Sequence, residues 1–195
     1  MVETITPAVH GGRRGFFWRD VALHTLGATL SAALFGAALG GLGALLGAPW
    51  GDAGLVVLAA VAALYFLREA FGAPIPLFDR KRQVPDWWRT FYSPPVAALL
   101  YGLGLGVGFF TFLRFGTYVG VVAATIVSGS WLAGAAMCAS FGFSRAVAVG
   151  VVGRGREEVG GPVADLEDSR LQRRLRGLNV AVLVAIVAIA LSAAL

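Results

Sequence analysis

Residues 21–47 read VALHTLGATLSAALFGAALGGLGALLG, and His24 is the only ionisable side chain in this run. As an α-helix the run is about 40 Å long, since each residue adds about 1.5 Å. The hydrocarbon core of a bilayer is about 30 Å thick, so one such helix crosses it with tilt. The stretch therefore predicts a transmembrane helix.

The composition extends this prediction to nearly the whole chain. Of its 195 residues 57% are hydrophobic and 14% are charged, and the mean hydropathy is +0.76. A soluble domain usually carries about 25% charged residues, and one of this size could not enclose so much apolar surface. The 27 glycines fit the same class, because small residues let helices approach closely in lipid. We predict an all-α integral membrane protein without a substantial water-soluble domain.

Further apolar runs give a bundle of about five transmembrane helices. The third run, residues 95–127, is longer than one straight crossing needs, and Arg114 and Gly116 interrupt it. We therefore expect a bent or broken helix there. The predicted organisation is a tail at 1–20, a four-span core at 21–152, a charged connector at 153–177 and a final span at 178–195.

The basic residues predict how the chain is oriented. With five crossings, the Lys and Arg residues outside the spans all fall on one side, in the tail, in the connector at 72–94 and in the last connector. Such an excess marks cytoplasmic segments. We predict an inner-membrane protein with its N-terminus in the cytoplasm and its C-terminus outside. The formal charge of +5 belongs to these segments, so we expect no nucleic-acid partner.

Glycines mark the expected contacts between helices. Their spacing does not match the nucleotide-binding pattern G-x-G-x-x-G. Two roles remain open, close helix packing and a softened, hinge-capable helix, because glycine weakens a helix interior by about 1 kcal/mol. The candidate packing or hinge positions are Gly36, Gly40, Gly102, Gly104, Gly106, Gly108 and Gly116.

Two arginines inside predicted spans are candidates for an anion or substrate site. Arg114 lies in the middle of the third run and Arg145 lies in the fourth. A charge at the centre of a membrane helix costs roughly 2.5–3.5 kcal/mol, so such residues usually face the bundle interior or a water-filled cavity. Two alternatives remain. Arg145 extends to the interface, and Arg114 pairs with carbonyls freed by the bend or marks a boundary between two shorter segments.

The remaining reactive residues indicate no catalytic centre. We expect His24 at the membrane interface and Cys138 as a small buried residue. The two histidines lack metal-ligand spacing, and no nucleophile stands beside a base, so we expect no metal, no cofactor and no enzyme. The single cysteine excludes a two-cysteine relay within this chain.

Three stretches resemble the CcdA/DsbD transmembrane family of cytochrome c biogenesis proteins. They are residues 24–47, IPLFDRKR at 75–82 and LLYGLGLGVGFFTFLRFG at 99–116, and the resemblance covers about residues 20–150. In that family, membrane helices pass reducing equivalents across the bilayer for cytochrome c maturation and disulfide isomerisation. The resemblance implies the same helical scaffold here.

The redox cysteine pair of that family has no counterpart in this sequence. The family carries one cysteine in its first helix and a second in a Pro-Cys element of its fourth. We expect the chain to be shortened at the N-terminus, without that first helix. The second position corresponds to residues 111–114 (TFLR), which contain neither Pro nor Cys. Thiolate attack on a disulfide needs a sulfur, so the resemblance implies no catalytic residue.

The sequence thus predicts an accessory or scaffold subunit of a membrane assembly. Its expected partners are the lipid bilayer and either a second copy or another membrane protein. The alternative is a small-anion transporter that uses Arg114 and Arg145, and a membrane-embedded enzyme is a third hypothesis. An odd number of spans leaves an inverted repeat incomplete, which favours association over independent transport.

Overall fold

A computed structural model describes residues 14–77, 87–108, 116–153 and 169–194. All the regular secondary structure in these ranges is helical, which confirms the predicted all-α fold. The helices are α1 (Arg14–Leu45), α2 (Asp52–Phe71), α3 (Trp88–Phe91), α4 (Pro94–Gly106), α5 (Thr117–Ser128), α6 (Trp131–Gly153) and α7 (Ser169–Ala194).

The helices have the lengths and apolar surfaces of a membrane protein. Helices α1 and α2, and α7 from Arg173 to Ala194, are long and apolar enough to cross a bilayer. Helices α4 and α5 are shorter apolar helices. Many large apolar side chains on these helices are exposed, among them Leu34 at 64%. Lipid is the solvent that accepts such side chains around a helix. The prediction of a multi-span membrane protein is confirmed.

The third predicted span is broken, as expected. Helix α4 begins with Pro94 and Pro95, where a missing N–H costs nothing, and ends at Gly106. Gly108 has a φ of +67°, a left-handed conformation that ends a helix. Helix α5 then begins at Thr117. Residues 109–115, which include Arg114, lie outside the described residues.

Two helices extend beyond their predicted spans. Helix α1 begins at Arg14, whereas the apolar run begins at residue 21, and α7 begins at Ser169, whereas the final apolar run begins at residue 178. Charged residues end an apolar run, but Arg, Gln and Leu are good helix formers and do not end the helix. Residues 169–177 of the predicted connector therefore continue into the last span as one helix.

The first of two compact units contains α1 up to Ala32, α3, α4 and α6 from Ala139. One of its buried clusters joins Phe17 and Val21 of α1 to Ala98 of α4. The hydroxyl of Thr25 donates to the carbonyl of Val21 at 2.8 Å, one turn back along the same helix. Such bonds satisfy side-chain hydroxyls where no water is present.

The second unit contains α1 from Ala33, α2, α5, α6 up to Cys138 and α7 from Gln172. Its core is formed by Ala62 and Tyr65 of α2 with Leu183 of α7. Helices α2 and α5 run antiparallel. Gly116 at the start of α5 packs on Tyr65 near the end of α2, and Val127 near the end of α5 packs on Gly54 at the start of α2.

Candidate functional site

Glycines of the second unit allow backbones to touch. A Cβ atom added to Gly36 of α1 would overlap the carbonyl oxygen of Gly134 and the Cβ of Cys138 on α6. A Cβ at Gly40 would overlap the carbonyl oxygen of Ser130. Any other residue at these two positions would force α1 and the start of α6 apart. Gly116 likewise lies against the ring of Tyr65.

Glycines of the first unit form a similar contact between α1 and α4. Gly102 and Gly106 lie against the backbone carbonyls of His24 and Ala28, closer than a side chain would allow. Gly104 lies on the same helix and is half-buried. At Gly102 and Gly106, α4 therefore meets α1 backbone to backbone. Whether any of these glycines acts as a hinge remains a prediction.

A cluster of polar groups lies in the second unit where α2 ends and α7 begins. Glu69 is only 5% exposed. Its Oε1 accepts a hydrogen bond from the Gly116 N–H at 3.2 Å and an ion pair from Nη1 of Arg68. Nε of Arg68 donates to the carbonyl of Ile75 at 2.9 Å. These bonds join the last turn of α2 to the residues that follow it and to the start of α5.

Helix α7 completes this cluster. Nε of Arg176 donates to the backbone carbonyl of Glu69. One turn further on, Oδ1 of Asn179 accepts the Thr117 N–H at 3.3 Å. Asn179 is 6% exposed, and its Nδ2 finds no acceptor in the described part of the chain. We call Arg68, Glu69, Arg176 and Asn179, with the start of α5, the Glu69 cluster.

The charges of the Glu69 cluster do not cancel. The described members of the cluster are two guanidinium groups and one carboxylate, which leaves one positive charge in excess among them. The start of α5 adds the partial positive charge of a helix N-terminus. The cluster joins α2, α5 and α7 and attracts negative charge, and its members form no pair of nucleophile and base.

Polar residues of α1 are buried in the first unit, His24 and Asp20 almost completely. His24 is 1% exposed, and its Nδ1 donates to the carbonyl of Ala98 at 3.3 Å. Helix α4 therefore covers the imidazole. Its depth in the membrane is not given by this contact, so the interfacial position of His24 stays a prediction. Asp20, one turn earlier, is also 1% exposed and accepts a bond from Nε of Arg19 at 2.9 Å. Nε2 of His24 has no partner in the ranges that the structure describes.

The structure describes one of the two candidate arginines. Arg145 is half-buried on α6, with its guanidinium 5.6 Å from the centre of the Phe141 ring. Arg114 is among the residues that the structure does not describe. Their predicted role in anion binding therefore stays a prediction.

Cys138 is buried, as the sequence predicts. Its side chain is 2% exposed, and its Sγ lies 3.7 Å from Oγ1 of Thr125. In the described ranges, no three His, Cys, Asp or Glu residues lie together in a way that could hold a metal ion.

Asp20, Glu69 and Asn179 are not among the candidate site residues predicted from the sequence. Two signals were present. Asn179 is the only side-chain amide in the final apolar run, and Asp20 precedes His24 by one helical turn. Polar residues that interrupt or border an apolar run are expected to face other helices. The partners themselves lie far away in sequence.

These features define an all-α membrane protein with several spans, whose helices touch at glycines and whose second unit holds a buried polar cluster. The chain is distantly related to the methylamine utilization protein MauF. It is 30% identical to MauF of Paracoccus versutus over 154 residues, which are 77% of this chain and 56% of that protein. It is 32% identical to MauF of Methylophilus methylotrophus over 132 residues, which are 66% and 45% of the two chains.

The similarity also extends to MauF of Paracoccus denitrificans, at 30% identity over 152 residues, with 77% of this chain and 55% of that protein covered. The chain spans about half the length of the curated relatives it matches. No model of a protein family matches the sequence. No solved structure matches it.

Proposed function

We propose that the chain is an accessory or scaffold subunit of a membrane assembly that serves methylamine utilization. The observation that carries the proposal is the similarity to MauF, named as a methylamine utilization protein, over 77% of this chain. The helices with lipid-facing surfaces agree with a role inside a membrane assembly. The subunit binds and positions other proteins and is not itself an enzyme.

The proposed scaffold is that of the CcdA/DsbD family without its thiol relay. The stretches at 24–47, 75–82 and 99–116 support the scaffold. The sequence contains one cysteine, and a relay within one chain needs two. That cysteine, Cys138 of α6, is buried against Gly36 of α1 and lies near Thr125, an environment typical of a packing residue.

The partner in the proposed assembly is a second copy or another membrane protein. Affinity purification of the full chain from its host in a mild detergent tests this. We expect a membrane protein, or a second copy, to be retained in fixed stoichiometry, while an unrelated multi-span protein with the same tag retains neither. Recovery of the chain as a clean monomer would contradict the proposal.

The proposed orientation places the N-terminus in the cytoplasm and the C-terminus outside an inner membrane. Two contacts within the second unit support it. Arg176 meets Glu69, so the helix ends next to the two basic connectors lie together. Gly129 packs on Ala48, so two turns without Lys or Arg also lie together. Alkaline phosphatase should be active when fused after residue 195 and inactive before residue 1, and activity at both ends would contradict the orientation.

A small-anion carrier that uses Arg114 and Arg145 is the second candidate. The excess positive charge of the Glu69 cluster favours it, because Arg114 lies close to Gly116 in the sequence. The two candidates differ in a measurable way. A carrier moves an anion across a bilayer without any partner, whereas an accessory subunit does not.

A further inference from the structure

Among the described residues, the side-chain oxygen of Asn179 has a hydrogen-bond partner and its side-chain nitrogen has none. Its Oδ1 faces the Thr117 N–H, which is a donor, so the orientation of the amide is fixed and Nδ2 points elsewhere. Nδ2 is buried and has no acceptor among the residues that the structure describes. Buried polar groups in proteins are nearly always paired. A buried donor with no acceptor among the described residues is therefore a candidate contact for a ligand that accepts hydrogen bonds.

The charges around this donor indicate that the ligand is an anion. Arg68 and Arg176 exceed Glu69 by one positive charge. The N-terminus of α5, where Asn179 binds, adds a partial positive charge. An anion would satisfy Nδ2 and also pair with Arg176, whereas a neutral acceptor such as water would satisfy Nδ2 alone.

The position of the cluster along α7 favours a phosphate group as the anion. The apolar part of α7 begins at Arg173, so Arg176 and Asn179 lie in the first turns of a membrane-crossing helix. Arg176 is exposed, and Asn179 is buried one turn deeper on the same face. The boundary of the hydrocarbon is where phosphate groups of lipids lie, and guanidinium groups bind phosphate strongly.

We propose that the Glu69 cluster binds a phosphate-type anion. One phosphate oxygen accepts a hydrogen bond from Nδ2 of Asn179, and the guanidinium of Arg176 pairs with the phosphate charge. The phosphate is either the headgroup of an anionic phospholipid or free inorganic phosphate. This inference rests on the contacts of the second unit and not on a role in methylamine utilization.

Binding to the purified, delipidated full chain tests the proposal. Native mass spectrometry follows phosphatidylglycerol, with phosphatidylcholine as the comparison lipid, and equilibrium dialysis follows radiolabelled inorganic phosphate. Retention of one phosphatidylglycerol in preference to phosphatidylcholine supports the headgroup as the source. Saturable binding of inorganic phosphate supports the free anion. If neither probe binds, the proposal is wrong.

Three variants distinguish the site from general attraction of charge. Asn179→Asp keeps the oxygen that accepts the Thr117 N–H but removes the donor, and Arg176→Gln removes the guanidinium. Each should weaken binding by about tenfold or more, as expected for the loss of a charge-assisted bond. Arg174→Gln removes the same charge from an exposed position of α7 and should leave binding unchanged.

The outcomes separate a binding role from a structural one. If Asn179 only caps α5, Asn179→Asp will fold and bind the probe as the native chain does, and the proposal fails. If Asn179→Asp does not fold, the exposed Arg176→Gln variant decides. Equal losses for Arg176→Gln and Arg174→Gln would also overturn the proposal, because they would show attraction without a site.

Discussion

The backbone N–H of Gly116 donates a hydrogen bond to the buried carboxylate of Glu69, 47 residues earlier in the chain, at 3.2 Å. This bond attaches the second half of the broken third span to the last turn of α2. The same carboxylate pairs with Arg68. One side chain thus satisfies a helix start and a neighbouring charge, in surroundings where water is scarce.

Removal of this carboxylate should destabilise the second unit. We expect Glu69→Ala to lower the free energy of unfolding by about 1–3 kcal/mol, because the Gly116 N–H and the Arg68 guanidinium both lose their acceptor. Glu69→Gln keeps an acceptor oxygen and should cost less. The midpoint of thermal unfolding in detergent measures both changes.

Asp52→Asn is the matched control for Glu69, since it removes the same charge from an exposed position of the same helix. It should change stability by less than about 1 kcal/mol, the size of a helix-dipole effect. Equal midpoints for Glu69→Ala and Asp52→Asn would contradict the importance assigned to the Glu69 bond.

The glycine contacts of α1 can be tested with two alanine variants of one helix. A Cβ at Gly36 would overlap the backbone of Gly134, whereas a Cβ at Gly41 meets no atom within 4 Å. We expect Gly36→Ala to destabilise the protein by about 1–3 kcal/mol, the usual cost of overpacking. Gly41→Ala should be neutral or stabilise by up to about 1 kcal/mol, since alanine favours a helix. Similar unfolding midpoints for the two variants would show that close backbone packing at Gly36 is unimportant.

Much of the fold follows from local properties of the sequence. The lengths of the apolar runs predict the helices, because a crossing needs a fixed number of residues. The break in the third span is predicted from the glycines and Arg114 that interrupt the run. Helix ends are predicted less well. The chain remains helical through Arg19 and Asp20, since a charge ends an apolar run without ending the backbone hydrogen bonds.

The polar cluster could not be predicted in the same way. The bond between Thr117 and Asn179 joins residues 62 positions apart, and no local pattern specifies that pairing. The burial of His24 under α4 could not be predicted either, because hydropathy reports how polar a position is and not which neighbour covers it. The carbonyl of Ala98, which accepts the hydrogen bond from Nδ1 of His24, belongs to α4.

If the chain is an accessory subunit, it should not transport anions by itself. The full chain alone in proteoliposomes should show no efflux of chloride or phosphate that depends on Arg114. Native chain, Arg114→Ala, Arg114→Lys and the exposed-position control Arg174→Ala are compared at equal protein density. Anion flux that both Arg114 variants abolish and Arg174→Ala retains would establish the carrier instead.

The most direct test of the account is growth of the host with methylamine as the only nitrogen source. We expect deletion of this chain to prevent growth, and the native chain and its Cys138→Ala variant to restore growth equally, because the subunit works without thiol chemistry. Normal growth of the deletion strain, or restoration by the native chain but not by Cys138→Ala, would contradict the account.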